Sequence, residues 1–146
     1  MRILPPFYFL LAVAIMVAMR VWWPGYQWLD WPWTGIGIVV GLTGFSITMF
    51  CVLSFTKAGT TVRPFEHSEV LVTDGLYRHS RNPMYVGLVT MLTGVAVGLG
   101  SVTSLIIPPL FAVWMTIGFI VKEEKMLAER FGEQYETFRK SVRRWI

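Results

Sequence analysis

The chain has 146 residues, of which 54% are hydrophobic and only 15% are charged, and its formal net charge is +4. With a mean hydropathy of +0.54, this composition excludes an ordinary water-soluble enzyme and indicates an integral membrane protein. The positive charge does not require a nucleic-acid partner, because basic residues beside membrane spans usually meet anionic lipid headgroups.

The first two apolar segments, residues 3–22 and 33–55, are each long enough to span a bilayer, which takes about 20 residues per helix. An apolar stretch behind Met1 and Arg2 would also suit a signal peptide. However, Arg20 and two tryptophans follow where small cleavage-site residues belong. We therefore predict a membrane anchor. The tryptophan-rich loop between the two segments is typical of a membrane interface.

Two further spans are predicted at residues 83–99 and 103–121, joined by a glycine-containing turn. Pro108-Pro109 early in the last span predicts a kink. Gly-x-x-x-Gly spacing in the second and third spans predicts close helix packing. With four spans, both ends of the chain and the central loop lie on one side. That side collects every Lys and Arg except Arg20, so we predict that it is cytoplasmic.

Two polar segments remain on that side. Residues 57–82 form a loop longer than a helix connection needs, which is typical of a functional loop. In residues 122–146, apolar side chains recur every three or four positions with basic residues between them, so this segment predicts an amphipathic helix at the membrane surface. The predicted fold is therefore an all-α integral membrane protein: one domain with four transmembrane helices, a cytoplasmic loop and an amphipathic C-terminal helix.

The polar residues at the ends of the last helical hairpin admit two interpretations. Glu123 and Glu124 are either a solvated acidic pair or a pair split about 100° apart on a helix, with one carboxylate facing inward. At the other end, Arg81 either snorkels to headgroups or joins a site, Asn82 caps the third span, and Tyr85 is either an interface anchor or a ligand contact. The residues alone indicate a polar, ligand-sized site on the cytoplasmic face and leave its reaction open.

The motif GLYRHSRNPMYVG at residues 75–87, followed by the paired acids, FGEQY and VRRWI, resembles the isoprenylcysteine carboxyl methyltransferase family. That family is related to the phospholipid N-methyltransferases. The resemblance covers residues 57–146 and is closest in form to bacterial members. It implies a multispan membrane enzyme that uses S-adenosylmethionine and has no Rossmann-like domain.

Carried over by position, the resemblance implies a cofactor site without a metal. The backbone of one loop segment and a tyrosine ring would enclose the adenosine, and one of the paired acids would accept a hydrogen bond from the cofactor's amino group. The cofactor-binding positions implied are Val70, Leu71, Val72, Tyr77, Asn82, Pro83, Tyr85, Glu123 and Glu124. The resemblance implies that Arg81, Tyr85 and Glu124 act in catalysis.

Two positions depart from the eukaryotic carboxyl methyltransferases: Asn82 stands where they have His, and Phe119 where they have an Arg thought to engage the substrate carboxylate. The acceptor is therefore left as a carboxylate or an amine of an isoprenoid or lipid-like molecule. An amine must lose a proton first, and the nearby candidate bases are His67, Glu69 and His79. The alternative interpretation is a non-catalytic lipid-binding or assembly protein. A nicotinamide-dependent reductase is disfavoured because the sequence has no Gly-rich phosphate loop of the Rossmann type.

Overall fold

The structure is a computed structural model that describes residues 5–23, 25–59 and 70–146. Within these residues the chain is helical and contains no strand, and the one extended pairing is an isolated bridge between Gln27 and Ser101. The predicted all-α class is confirmed. The helices, in chain order, are α1 Pro5–Trp22, α2 Ile36–Lys57, α3 Pro83–Leu99, α4 Ile107–Met115, α5 Val121–Phe131 and α6 Glu133–Ser141.

Three helical segments of the described chain are long and apolar enough to cross a membrane: Pro5–Trp22, Trp33–Lys57 and Thr103–Phe131. The apolar helix Pro83–Leu99 is shorter, at 17 residues, or about 25 Å at 1.5 Å per residue. Many large apolar side chains on these helices are exposed in the isolated chain, as expected for surfaces that face lipid. The prediction of a multi-pass membrane protein is confirmed.

Helices α2 and α3 approach each other at backbone contact distance. A Cβ atom added to Gly37 would lie 2.5 Å from the amide nitrogen of Gly98, and one added to Gly94 would lie 2.6 Å from the Cα of Gly41. Only a residue without a side chain fits at Gly37 and at Gly94, which is how small residues allow close packing in lipid. The predicted role of the Gly-x-x-x-Gly spacings is therefore confirmed.

We expect Gly94→Ala to lower the free energy of unfolding by about 1–3 kcal/mol, the usual cost of overpacking. The new methyl group would meet the Gly41 Cα at 2.6 Å and the Gly37 carbonyl oxygen at 2.7 Å, and backbone cannot move aside as a flexible side chain can. Gly41→Ala is the matched control, because its methyl group would have no atom within 4 Å. Thermal unfolding in detergent should separate the two variants; equal midpoints would contradict the close packing.

The last long helical segment departs from the predicted boundaries. Pro108 and Pro109 lie in the first turn of α4, where a missing amide hydrogen leaves no helix bond unmade, so they begin an α-helix instead of interrupting one. The irregularity comes later, where residues Thr116–Ile120 form a π-helical turn. The helix then continues through α5 to Phe131 instead of ending near residue 121, because no helix-breaking residue stands between.

The predicted amphipathic helix at residues 122–146 is divided by Gly132. This residue has φ +50°, a conformation that favours glycine, and it separates α5 from α6. After α6 ends at Ser141, residues 142–146 are non-helical. The break folds α6 back so that its buried residues Tyr135 and Phe138 pack with Cys51 and Tyr77, which brings the end of the chain to the loop before α3.

Candidate functional site

The start of α3 carries the polar residues of the motif. Pro83 occupies the first turn of the helix, where its fixed φ is favourable. Asn82 stands at the N-cap position, but its side chain makes no capping hydrogen bond, so the predicted capping role is wrong. Its side-chain nitrogen instead donates to the carbonyl oxygen of Arg144 at 3.1 Å, and its backbone amide donates to the hydroxyl of Ser80 at 3.1 Å.

Tyr85 and Glu123 join the two sides of the helical hairpin. The Tyr85 hydroxyl donates to Oε2 of Glu123 at 3.2 Å, although the residues are 38 positions apart in the chain. Tyr85 is buried between the helices, and Glu123 is half-buried in the first turn of α5. This contact brings together two of the residues implied by the family resemblance.

Tyr77 completes this group from the loop side. It lies in a 3₁₀ turn, Gly75–Arg78, and its ring packs edge-on against Phe55 with centroids 5.7 Å apart. Burial raises the pKa of the Tyr77 phenol, and the neighbouring Cys51 and Glu123 raise it further. Its hydroxyl therefore stays neutral. We call Tyr77, Tyr85 and Glu123 the tyrosine–glutamate cluster.

The loop segment before Tyr77 lies beside this cluster. Leu71 and Val72 are half-buried and pack against the core that contains Tyr77. Val70 is exposed over 48% of its surface. The three residues implied to enclose adenosine are thus arranged as an apolar strip with one end open to solvent.

Glu124 belongs to a separate ionic cluster. It accepts from Arg144 through both carboxylate oxygens, with Nε at 3.1 Å from each and one terminal nitrogen at 2.7 Å from Oε2. A terminal nitrogen of Arg81 lies 3.3 Å from Oε1. Glu124 is buried, with 9% of its surface exposed. We call Arg81, Glu124 and Arg144 the arginine–glutamate cluster.

The two adjacent acids therefore have different surroundings. Glu123 contacts a neutral tyrosine hydroxyl, whereas Glu124 is held between two guanidinium groups. The interpretation as an exposed, solvated pair is wrong for Glu124, because it is buried. The interpretation of Arg81 as a snorkelling residue is also wrong, because only 9% of its side-chain surface is exposed.

Arg81 keeps hydrogen-bonding capacity inside the protein. Its Nε is buried and has no hydrogen-bond partner among the described residues, whereas the buried terminal nitrogen that lies 3.3 Å from Glu124 Oε1 is already engaged in that ion pair. Tyr135 of α6 lies beside it: burial, and then the Glu124 carboxylate, raise the pKa of the Tyr135 phenol, while the Arg81 guanidinium opposes them. A buried donor without a partner is costly, so the Nε of Arg81 suits a further acceptor.

The other candidate residues are more scattered. His79 is exposed, and His67 and Glu69 lie outside the described residues. Phe119 is buried in the π-helical turn, and its ring meets that of Tyr8 in α1 edge-on at 5.6 Å. An apolar contact therefore occupies the position where the resemblance to the eukaryotic carboxyl methyltransferases would predict an Arg.

Sequence reasoning gave no role to Arg144, which makes more hydrogen bonds to Glu124 than any predicted residue does. The residue stands in a run of basic residues that reads as a solvated surface. A signal was present, because the VRRWI segment was part of the family resemblance, but spacing alone could not connect it to an acid 20 positions away.

The sequence profile described as phospholipid methyltransferase matches residues 32–134, which is more than half of the chain. A protein from Schizosaccharomyces pombe (strain 972), named protein-S-isoprenylcysteine O-methyltransferase, is 35% identical over 89 residues. That alignment covers 61% of this chain and 37% of the relative, so the chain spans well under two thirds of the relative's length. The matched profile contains the whole tyrosine–glutamate cluster, whereas Arg144 lies beyond it.

Proposed function

We propose, since the chain belongs to the phospholipid methyltransferase family, that it transfers a methyl group from S-adenosylmethionine to a lipophilic acceptor in the membrane. The family resemblance predicted from residues 75–87 is confirmed. The observation that carries the proposal is the Tyr85–Glu123 contact, which sets a carboxylate and an aromatic ring together at the end of the hairpin.

The proposed topology has four spans. At 17 residues, α3 is at the lower limit of about 17–25 residues for a spanning helix, and its close packing against α2 supports a path through the bilayer. We place residues 57–82, both ends of this chain and the two clusters on the cytoplasmic side, because all Lys and Arg residues but Arg20 fall there.

The residues present fit the proposed cofactor. S-adenosylmethionine carries an ammonium, a carboxylate and a sulfonium, which call for an acidic partner, a basic donor and an aromatic face. Glu123 offers a carboxylate that, among the described residues, accepts a hydrogen bond from the neutral phenol of Tyr85. The buried Nε donor of Arg81 suits the cofactor's carboxylate. Tyr77 and Tyr85 offer the aromatic faces, and Leu71 and Val72 an apolar wall for the adenine.

We therefore assign the cofactor's ammonium to Glu123, with Arg81 and Glu124 fixing the geometry around it. When bound, S-adenosylmethionine supplies the methyl group: the acceptor's lone pair forms a bond to the methyl carbon while the carbon–sulfur bond breaks and the sulfonium becomes a thioether. The protein's own contribution is to hold the acceptor in line and keep water out, since positioning carries much of such a reaction.

The proposed acceptor reaches the site from the bilayer. Phe119, buried beside Tyr8, offers an apolar contact where an Arg would recognise a substrate carboxylate. A carboxylate is already nucleophilic, whereas an amine must be deprotonated first. Among the candidate bases, His79 lies within the described residues and is exposed.

We expect Tyr85→Phe to weaken S-adenosylmethionine binding about 2- to 12-fold, because Glu123 loses the hydrogen bond that orients it, worth about 0.5–1.5 kcal/mol. Tyr26→Phe is the control, since Tyr26 is 77% exposed in the tryptophan-rich loop. Calorimetric titration of the detergent-purified protein measures the affinities. Absence of saturable binding to the unsubstituted protein would refute the proposal, and binding without labelled methyl transfer to any membrane lipid extract would favour the non-catalytic alternative.

A further inference from the structure

Arg143 and Arg144 lie against the residues that lead into α3, and three hydrogen bonds to their carbonyl oxygens hold them there. The amide of Arg81 donates to the carbonyl oxygen of Arg143 at 2.9 Å. The carbonyl oxygen of Arg144 accepts from the Asn82 side chain at 3.1 Å and from the Ser80 hydroxyl at 3.4 Å. These hydrogen bonds join the last described segment of the chain to the loop that precedes the cofactor site.

The side chain of Arg144 adds a contact of a different kind. Its guanidinium reaches Glu124 with three hydrogen bonds of 2.7–3.1 Å. A planar fork on a carboxylate fixes the direction of both groups, which a lysine ammonium cannot do. The side chain of Arg144 is 37% exposed while that of Glu124 is 11% exposed. The Arg144 guanidinium therefore covers the Glu124 carboxylate on the side that faces solvent.

This pair also determines what the neighbouring acid can do. Adjacent residues on a helix point about 100° apart, so fixing Glu124 toward Arg81 and Arg144 fixes the rotation of α5 that turns Glu123 toward Tyr85. Without Arg144, Glu124 would keep only the 3.3 Å contact with Arg81. The first turn of α5 would then be held on this side by a single contact, and the Glu123 side chain would be less firmly directed toward Tyr85.

We propose that Arg144 is a positioning residue, whose pairing with Glu124 holds Glu123 in place to bind the ammonium of S-adenosylmethionine. This inference rests on the proposed function. Arg144 acts through Glu124 and does not itself touch the cofactor. Its loss should therefore change cofactor affinity only where Glu124 retains its charge.

The test compares Arg144→Ala, Arg144→Lys, Glu124→Gln and the double variant Arg144→Ala/Glu124→Gln. Arg139→Ala is the matched control, because it breaks an exposed Arg139–Glu136 pair of 3.2 Å. The dissociation constant for S-adenosylmethionine is measured by calorimetry and the unfolding midpoint by intrinsic fluorescence, both in detergent. The midpoint separates a merely stabilising role from a role in the site.

We expect Arg144→Ala to raise the dissociation constant about 10-fold and Arg144→Lys about 3-fold, in the range of coupling between contacting residues. The control should bind as the unsubstituted protein does. The double variant should bind no more weakly than Glu124→Gln alone. Should Arg144→Ala fail to fold, the dissociation constant of Arg144→Lys is compared with that of Arg139→Ala, and equal values overturn the inference.

Three results would overturn the inference. Unchanged affinity in the Arg144 variants, with only the midpoint lowered, would leave a stabilising role alone. Additive losses in the double variant would mean that Arg144 acts independently of Glu124. No binding by the unsubstituted protein would overturn both this inference and the proposed function, whereas normal binding by the unsubstituted protein and the Arg144 variants alike overturns the inference alone.

Discussion

We expect the Glu123→Gln protein to bind S-adenosylmethionine about 10- to 150-fold more weakly than the unsubstituted protein. A hydrogen bond to a charged group contributes about 1.5–3 kcal/mol, and each 1.4 kcal/mol is tenfold in affinity. Gln keeps the size of the side chain and an oxygen that can still accept from the Tyr85 hydroxyl. The substitution therefore removes the charge that would meet the ammonium while leaving the contact between the helices.

The matched control for this charge removal is Glu129→Gln. Glu129 lies on the same helix, is 67% exposed and faces Lys125 at 3.9 Å, where an ion pair contributes little. Calorimetric titration should show normal affinity for this control. Thermal unfolding in detergent should give midpoints within a few degrees of the unsubstituted protein for both variants. A Glu123→Gln protein that binds as tightly as the control would contradict the assignment of Glu123 to the ammonium.

The second large effect concerns stability. We expect Glu124→Ala to lower the free energy of unfolding by about 3 kcal/mol, because it leaves the buried guanidinium of Arg81 without a counter-charge. For a chain of this length the unfolding midpoint should fall by roughly 10 °C. The estimate is at the low end for a broken buried pair, because the Arg144 side chain is 37% exposed and can turn toward water.

Glu136→Ala is the control for stability, since its pair with Arg139 is exposed on both sides and should contribute about 0–1 kcal/mol. Scanning fluorimetry in detergent gives both midpoints. If Glu124→Ala and Glu136→Ala unfold at the same temperature, the arginine–glutamate cluster is not a stabilising element, and its burial would need another explanation.

The fold was predictable where a pattern is long and local. The apolar runs gave α1, α2 and α3 nearly residue for residue, because a membrane span needs about 20 apolar residues whatever its neighbours are. The helix that contains α4 continues to Phe131, past residue 121 where the sequence predicts the end of the span, because charge ends an apolar run without breaking a helix. Gly132 in the sequence Phe131-Gly132-Glu133 was the available signal, because glycine after a periodic segment commonly ends a helix.

The site was predictable as a set of residues and not as an arrangement. The motif and the paired acids mark the two ends of the hairpin, but a sequence cannot show which acid faces which partner. That choice depends on the rotation of α5 and on Arg144, which reaches Glu124 only after Gly132 has reversed the chain. Long-range contacts of this kind arise from tertiary packing, which local spacing does not encode.

The π-helical turn at Thr116–Ile120 affects the directions in which Glu123 and Glu124 face. A π turn accommodates one more residue than an α turn, so everything after it is rotated by about 100° relative to an uninterrupted helix. That is also the angle between Glu123 and Glu124. If the same residues formed a regular α-helix, Glu123 would take the direction that Glu124 has now. Deleting one residue from the turn would cancel that rotation and leave each acid facing its present partner. The alignment of the acid pair with its partners therefore depends on the number of residues in this turn as well as on the Arg144–Glu124 pair.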